Sequence, residues 1–150
     1  MTQYAIFAAG CFWGVEEHFR RLAGVVSTKV GYIGGHTENP TYREICQGDT
    51  EHAEAVLIEF DPAKVTFSAL LQQFWRCHNP TDKDRQGVDI GRQYRSAIFV
   101  YDDEQHQIAT ESMQHAQEGF TRPIATEILP VSTFTLAEEY HQQYIAKKRR

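Results

Sequence analysis

One thiol near the start of the chain has neighbours that suit nucleophilic chemistry. Cys11 lies between an apolar run, Tyr4 to Ala8, that predicts a buried strand and a segment with helical spacing, Val15 to Leu22. Backbone N–H groups at a helix start carry partial positive charge, which favours thiolate over thiol and predicts a lowered pKa for Cys11. A buried structural role is the commoner one for an isolated cysteine. The strand-turn-helix context favours a reactive sulfur instead.

The residues beside this cysteine predict a small apolar pocket. Phe12 and Trp13 are too large to be loop filler, and Gly10 and Gly14 let the backbone bend and another group come close. The alternative is that both aromatic side chains pack in the hydrophobic core.

Four other polar groups stand where the local pattern does not need them: Tyr42, Glu54, Asp89 and Tyr94. Glu54 falls on the otherwise apolar face of a predicted strand, where a carboxylate must be paired or its pKa must rise toward neutrality. A protonated carboxyl beside a thiolate is a nucleophile with its general acid. Tyrosine hydroxyls suit an oxygen that gains negative charge. For each residue alone, a solvent-facing, turn or packing role is more common, and spacing does not show that they meet.

Length and composition point to a single domain over residues 1–150. The net charge of −5, with no basic patch before the final Lys147 to Arg150, argues against nucleic acid as a partner. No apolar stretch approaches the roughly 20 residues that span a bilayer, so we expect a cytoplasmic protein without membrane contact. We also expect a monomer. The three cysteines lack metal-ligand spacing, so we expect no metal and no bound cofactor.

Strands and helices alternate along the chain. Predicted strands are Tyr4 to Ala8, Val25 to Tyr32, His52 to Phe60, Ser96 to Tyr101 and Ala125 to Val131; predicted helices are Val15 to Leu22, Thr41 to Cys46, Phe67 to Cys77, Asp103 to Phe120 and Leu136 to Ala146. Residues His78 to Gln93 read as a long loop. The pattern favours an α/β (α+β) fold, a two-layer α/β sandwich whose helices pack on a mixed, largely antiparallel sheet in a ferredoxin-like arrangement. A parallel doubly wound sheet is the alternative.

Six segments in order resemble one known family. They are residues 10–14 (GCFWG), 30–35 (VGYIGG), 39–46 (NPTYREIC), 52–56 (HAEAV), 86–96 (QGVDIGRQYRS) and 137–144 (AEEYHQQY). Together they resemble the A class of peptide methionine sulfoxide reductases over nearly the whole chain.

The resemblance implies a thiol-dependent reductase that converts methionine-S-sulfoxide, protein-bound or free, to methionine. Cys11 would attack the sulfur and become a sulfenic acid, Glu54 would protonate the sulfoxide oxygen, and Tyr42 and Tyr94 would hydrogen-bond it. Phe12 and Trp13 would receive the ε-methyl group and select the S epimer. Asp89 would hold the substrate or the catalytic network. Such an activity repairs oxidised proteins.

The sequence departs from the family pattern in two places. Many members carry recycling cysteines in a C-terminal tail, and this chain has none there. We therefore expect an external reductant, thioredoxin or a small-molecule thiol, although Cys46 or Cys77 would serve if either can approach Cys11. Glu51 replaces the usual glycine, and it either raises the pKa of Glu54 by repulsion or, more commonly for such a residue, points into solvent.

Two other functions remain open. Another cysteine enzyme, an acyltransferase or hydrolase, would pair Cys11 with a histidine base such as His52 or His78, neither of which lies in a recognisable motif. A non-catalytic module would bind methionine through Phe12 and Trp13, and Glu54 argues against it.

Overall fold

The computed structural model describes residues 1–48 and 50–148. The strands are β1 (Gln3–Ala9), β2 (Val25–Ile33), β3 (Ala53–Phe60), β4 (Arg85–Gln86), β5 (Asp89–Ile90), β6 (Ser96–Val100), β7 (Glu127–Pro130) and β8 (Thr135–Leu136). The α-helices are α1 (Phe12–Arg20), α2 (Tyr42–Gln47), α3 (Phe67–Arg76), α4 (Asp103–Gln117) and α5 (Tyr144–Lys148), and short 3-10 helices cover Arg92–Tyr94 and Glu139–His141. None of the helices in these ranges has the length and apolar content that a bilayer crossing requires.

Six strands form the main sheet in the order β7-β6-β1-β3-β2-β8, while β4 and β5 form a separate hairpin. The pairs of β1 with β3 and β6, and of β2 with β3 and β8, are antiparallel, whereas β6 and β7 run parallel. The central order β6-β1-β3-β2, with α1 and α3 as crossovers, is the ferredoxin-like arrangement. The predicted mixed, largely antiparallel sheet is therefore confirmed, and the doubly wound alternative is wrong.

Strand alternation divides the core between the two faces of the sheet. Phe7 of β1 packs on the helical side against the rings of Phe19 in α1 and Phe74 in α3, with ring centroids 5.4 and 5.1 Å apart. Its neighbours Ile6 and Ala8 belong to a smaller cluster on the opposite face. Since adjacent residues point to opposite faces, the same alternation in β3 turns Glu54 toward the helices.

The predicted closing helix from Leu136 to Ala146 is wrong. Leu136 pairs with Gly31 as part of β8, and the side chain of Gln142 accepts from the N–H of Val30 and donates to its carbonyl, each at 2.9 Å. Gln143 has a φ of 51°, outside the helical region. Hydrogen bonds to β2 therefore hold this segment along the sheet edge, and helix begins only at Tyr144.

The stretch from His78 to Gln93 is more ordered than the predicted loop. Gln86 pairs with Asp89 in the β4–β5 hairpin, and a 3-10 turn follows at Arg92–Tyr94. Three boundaries differ slightly from the prediction. Helix α1 begins at Phe12 instead of Val15, and α4 ends at Gln117 instead of Phe120. Strand β7 covers Glu127–Pro130 instead of Ala125 to Val131.

Candidate functional site

Cys11 lies at the N-cap of α1, directly after β1, as the sequence predicts. Its side chain is partly buried. The preceding Gly10 has a φ of 99°, and a Cβ there would lie 2.9 Å from Cγ of Gln86, so a side chain at this position would be strained and crowded. A Cβ on Gly14 would meet nothing within 4 Å. The predicted close approach thus exists at Gly10 and is absent at Gly14.

The predicted lowering of the Cys11 pKa is wrong. Burial raises the pKa of the thiol to about 11, and the negative charges of Glu54 and Asp89 add to the rise. The N–H groups of Trp13 and Gly14 at the helix start do lower it, as expected, but their effect is the smaller one. Cys11 is therefore a protonated thiol at neutral pH in the free protein.

Glu54 is a buried acid directly beside this helix start. It is 1% exposed. Its Oε1 accepts from the backbone N–H of Phe12 at 3.3 Å, and its Oε2 accepts from Nε2 of Gln93 at 3.1 Å. Burial raises the pKa of Glu54 to about 7, and the charge of Asp89 raises it while both hydrogen bonds lower it. A carboxyl with this pKa can give and take a proton at neutral pH.

The two predicted tyrosines and the predicted aspartate belong to the same cluster. Burial, followed by the charges of Glu54 and Asp89, raises the pKa of Tyr94 to about 12. The pKa of Tyr42 also rises, first through burial, then through its contact with Cys46 and the charge of Glu54. Both hydroxyls therefore stay protonated and can donate hydrogen bonds.

Trp13 forms one wall of the site with partners that the sequence analysis missed. Its Nε1–H donates to Nδ1 of His141 at 2.9 Å, and its ring stacks on Tyr144 with centroids 3.8 Å apart. His141 is fully buried against Phe12 and Tyr42, with ring centroids 5.1 and 4.4 Å away. Burial lowers the pKa of His141, so the ring is neutral and can accept from the indole.

Glu138 is a second missed residue, and it links three elements. Its carboxylate accepts from the hydroxyl of Tyr32 on β2 and from the N–H of Tyr42 on α2, each at 2.9 Å. The signal for this contribution was present in residues 137–144, which match the family pattern. Their assignment to a closing helix concealed which of their polar side chains turn inward.

Glu51 is exposed, which agrees with the more common of its two expected roles, and it also pairs with an arginine. Its φ of 64° is left-handed, where glycine is favoured. Its carboxylate accepts from Nε of Arg92 at 2.8 Å with about half of the side chain exposed. The charge that raises the pKa of Glu54 comes from Asp89.

The other thiols differ in their surroundings. Cys46 is exposed on α2, with its Sγ 3.9 Å from Nε2 of Gln93. Burial raises the pKa of Cys77 to about 12, so this thiol is protonated at neutral pH. Of the alternative histidine bases, His52 bonds the carbonyl of Thr37 and the N–H of Gly35, and His78 bonds Phe74 and Ser96. No group of three or more His, Cys, Asp or Glu residues within the described ranges is placed to hold a metal ion.

Known proteins match both the sequence and the fold. The peptide methionine sulfoxide reductase family model matches residues 3–150. The peptide methionine sulfoxide reductase MsrA of Methanosarcina mazei is 56% identical over 146 residues, which cover 96% of this chain and 69% of the relative. The MsrA of Geobacter sulfurreducens is 55% identical over 96% of this chain and 90% of its own.

Solved structures of yeast Mxr1 superpose on the chain. Reduced Mxr1 from Saccharomyces cerevisiae has a TM-score of 0.95 and 34% identity, covering 99% of this chain and 87% of that one. A structure of Mxr1 in complex with Trx2 has a TM-score of 0.69 and 25% identity over 95% of this chain and 84% of that one.

Proposed function

The chain belongs to the A class of peptide methionine sulfoxide reductases and reduces methionine sulfoxide at the expense of thiols; from this premise we propose that Cys11 is the nucleophile and Glu54 its general acid. The observation that carries the proposal is the burial of Glu54 against the N–H of Phe12, the residue that follows the thiol. Burial of an ionisable carboxyl costs stability, and such groups are concentrated at functional sites, where they have a chemical task.

The reaction transfers one oxygen atom from the substrate to Cys11. The sulfur of Cys11 attacks the sulfoxide sulfur while Glu54 protonates the oxygen, and the thiol proton restores Glu54. The hydroxyl then moves to the sulfur of Cys11 as the S–O bond and the transient S–S bond break, so that a thiol and a sulfoxide yield a sulfenic acid and a thioether. When Glu54 carries its proton, its negative charge no longer opposes ionisation of Cys11. Protonation of the acid and activation of the nucleophile thus support each other.

The remaining predicted residues have roles that suit their surroundings. Tyr42 and Tyr94 donate to the sulfoxide oxygen as its charge grows. Phe12 and the indole of Trp13, held by His141, receive the ε-methyl group of methionine-S-sulfoxide, in proteins or free. The negative charge of Asp89 raises the pKa of both Cys11 and Glu54, and so favours the protonated form of each group.

We also propose that the reductant is external. The structure of Mxr1 with Trx2 supports thioredoxin as the partner, and a small-molecule thiol would perform the same chemistry. The dithiol reduces the sulfenic acid to a thiol, and a disulfide and water leave. The pKa of Cys77, raised to about 12 by burial, keeps this thiol protonated, which disfavours it as the internal reductant. Mass spectrometry after one turnover without reductant tests this, because an internal disulfide between Cys11 and Cys46 would contradict it.

The test of the reaction is reduction of a peptide that carries methionine sulfoxide, with the S and R epimers assayed separately in excess dithiothreitol. We expect turnover of the S epimer only, and its loss in Cys11→Ser. Turnover of the R epimer, or activity that survives in Cys11→Ser, would contradict the assignment. Binding of methionine peptides without turnover would support the binding-module alternative.

Three further expectations stay predictions. We propose that residues 1–150 act as one catalytic domain, that the chain is a monomer and that it acts in the cytoplasm on oxidised proteins. Light scattering measures whether the protein is a monomer, and fractionation of cells that produce it measures whether it is in the cytoplasm.

A further inference from the structure

Gln93 is a buried amide that the sequence did not single out, and it is 8% exposed. Its Nε2 donates to Oε2 of Glu54 at 3.1 Å, while the N–H of Phe12 lies 3.3 Å from Oε1. One oxygen of the acid is thus held by the backbone, and the other is held by a side chain that mutation can change. We propose that Gln93 is a positioning residue, which aims the Glu54 carboxyl and sets how readily it gives up its proton.

Gln93 is itself held in place by a buried arginine. Arg95 is 2% exposed, and its Nη1 donates to the carbonyls of Glu51 and Arg92, each at 2.9 Å. Its Nε lies 3.0 Å from a carboxylate oxygen of Glu127. Glu51 comes just before β3, the strand that carries Glu54, and Arg92 comes just before Gln93. Because Arg95 binds both carbonyls, its guanidinium fixes the distance between β3 and the turn that carries Gln93.

The sign of the effect follows from the direction of the hydrogen bond. An amide donor stabilises a carboxylate more than a neutral carboxyl, so Gln93 lowers the pKa of Glu54 against the larger effect of burial. Without this donor Glu54 would hold its proton more tightly and become a weaker acid. The titratable groups that face this carboxyl, from the five segments around it, are Cys11, Tyr32, Tyr42, Asp89 and Tyr94.

The experiment compares Gln93→Met with Gln105→Met. Gln105 is an equally buried glutamine at 8% exposure. Its amide bonds the carbonyl of Tyr4 on β1 and the N–H of Tyr101 just after β6, and not Glu54. The readout is the titration of Glu54 by NMR of protein labelled with ¹³C at the glutamate carboxyls, together with the pH profile of kcat/KM. The resonance of Glu54 is identified by its loss in Glu54→Gln.

We expect the midpoint of Glu54 to rise by about one to two pH units in Gln93→Met, since a hydrogen bond to a charged group has that strength. The alkaline limb of kcat/KM should move up with it. Gln105→Met should change neither. An unchanged midpoint in Gln93→Met, or an equal shift in Gln105→Met, would overturn the proposal.

A second measurement needs no change at Gln93. In the unsubstituted protein the side-chain ¹⁵N and ¹H signals of Gln93 should titrate with the midpoint of Glu54, and that titration should vanish in Glu54→Gln. Signals that do not respond would overturn the proposal. This inference rests on the proposed role of Glu54, and the two fail separately: a fully active Glu54→Gln would refute the acid role, whereas the NMR titrations would still decide whether Gln93 holds the carboxyl.

Discussion

Because the pKa of Cys11 is raised, we predict that its thiol is alkylated slowly, which is the opposite of the usual expectation for a catalytic cysteine. A pKa of about 11, against 9.0 for an ordinary cysteine, makes the ionised fraction of Cys11 at pH 7.5 about 100-fold smaller than that of an unperturbed thiol. Since the thiolate is the reactive form, Cys11 should react with iodoacetamide about 100-fold more slowly than a free thiol at that pH.

The assay is the rate of alkylation between pH 6 and 11.5 in a protein that carries Cys46→Ser and Cys77→Ser, so that Cys11 is the thiol that reacts. Glu54→Gln and Asp89→Asn should each lower the midpoint, because each removes a negative charge that opposes ionisation. Neither should bring it to the ordinary value, because burial is the largest cause.

Two results would refute this reasoning. A midpoint below about 8 in the parent protein would mean that the helix start outweighs burial. An unchanged midpoint in both Glu54→Gln and Asp89→Asn would mean that these carboxylates do not act on the sulfur. Alkylation of the denatured protein supplies the reference rate for an unperturbed thiol.

Other consequences can be measured separately. Glu54→Gln should lower kcat/KM by about 10²- to 10⁴-fold and remove the fall in rate above pH 7, because this fall reports loss of the acid's proton; a pH profile of the variant checks this. Gly10→Ala should destabilise the protein by about 1–3 kcal/mol in urea unfolding, since its φ of 99° and the contact with Gln86 both disfavour a side chain. Thr41→Ala should cost about 1 kcal/mol in the same assay, because it breaks the capping box of α2.

Several features could be predicted from local pattern alone. The alternation from Ala53 to Phe60 correctly placed Glu54 on the face toward the helices. The helix predicted from Thr41 forms, with Thr41 and Glu44 in a capping box at its start. These predictions succeeded because they depend on side-chain periodicity or on contacts between residues three apart. The family resemblance then gathered residues that local pattern could not bring together.

Features that depend on contacts distant in sequence escaped prediction. The segment around Gln142 is not helical because β2 offers it a sheet edge and unpaired backbone groups. The pKa of Cys11 is raised because the fold buries the sulfur and sets two acids near it, which the helix start alone does not reveal. Gln93 and His141 gained their roles from partners 39 and 128 residues away.

The central claim is that Cys11 receives the oxygen of the substrate. The most direct test is a single turnover of an ¹⁸O-labelled methionine-S-sulfoxide peptide, without reductant, in the protein with Cys46→Ser and Cys77→Ser. A sulfenic acid reagent that retains the oxygen traps the product for mass spectrometry. We predict one methionine peptide per chain and the ¹⁸O label on Cys11. Formation of methionine with no oxygen on Cys11, or at the same rate in Cys11→Ser, would contradict the account.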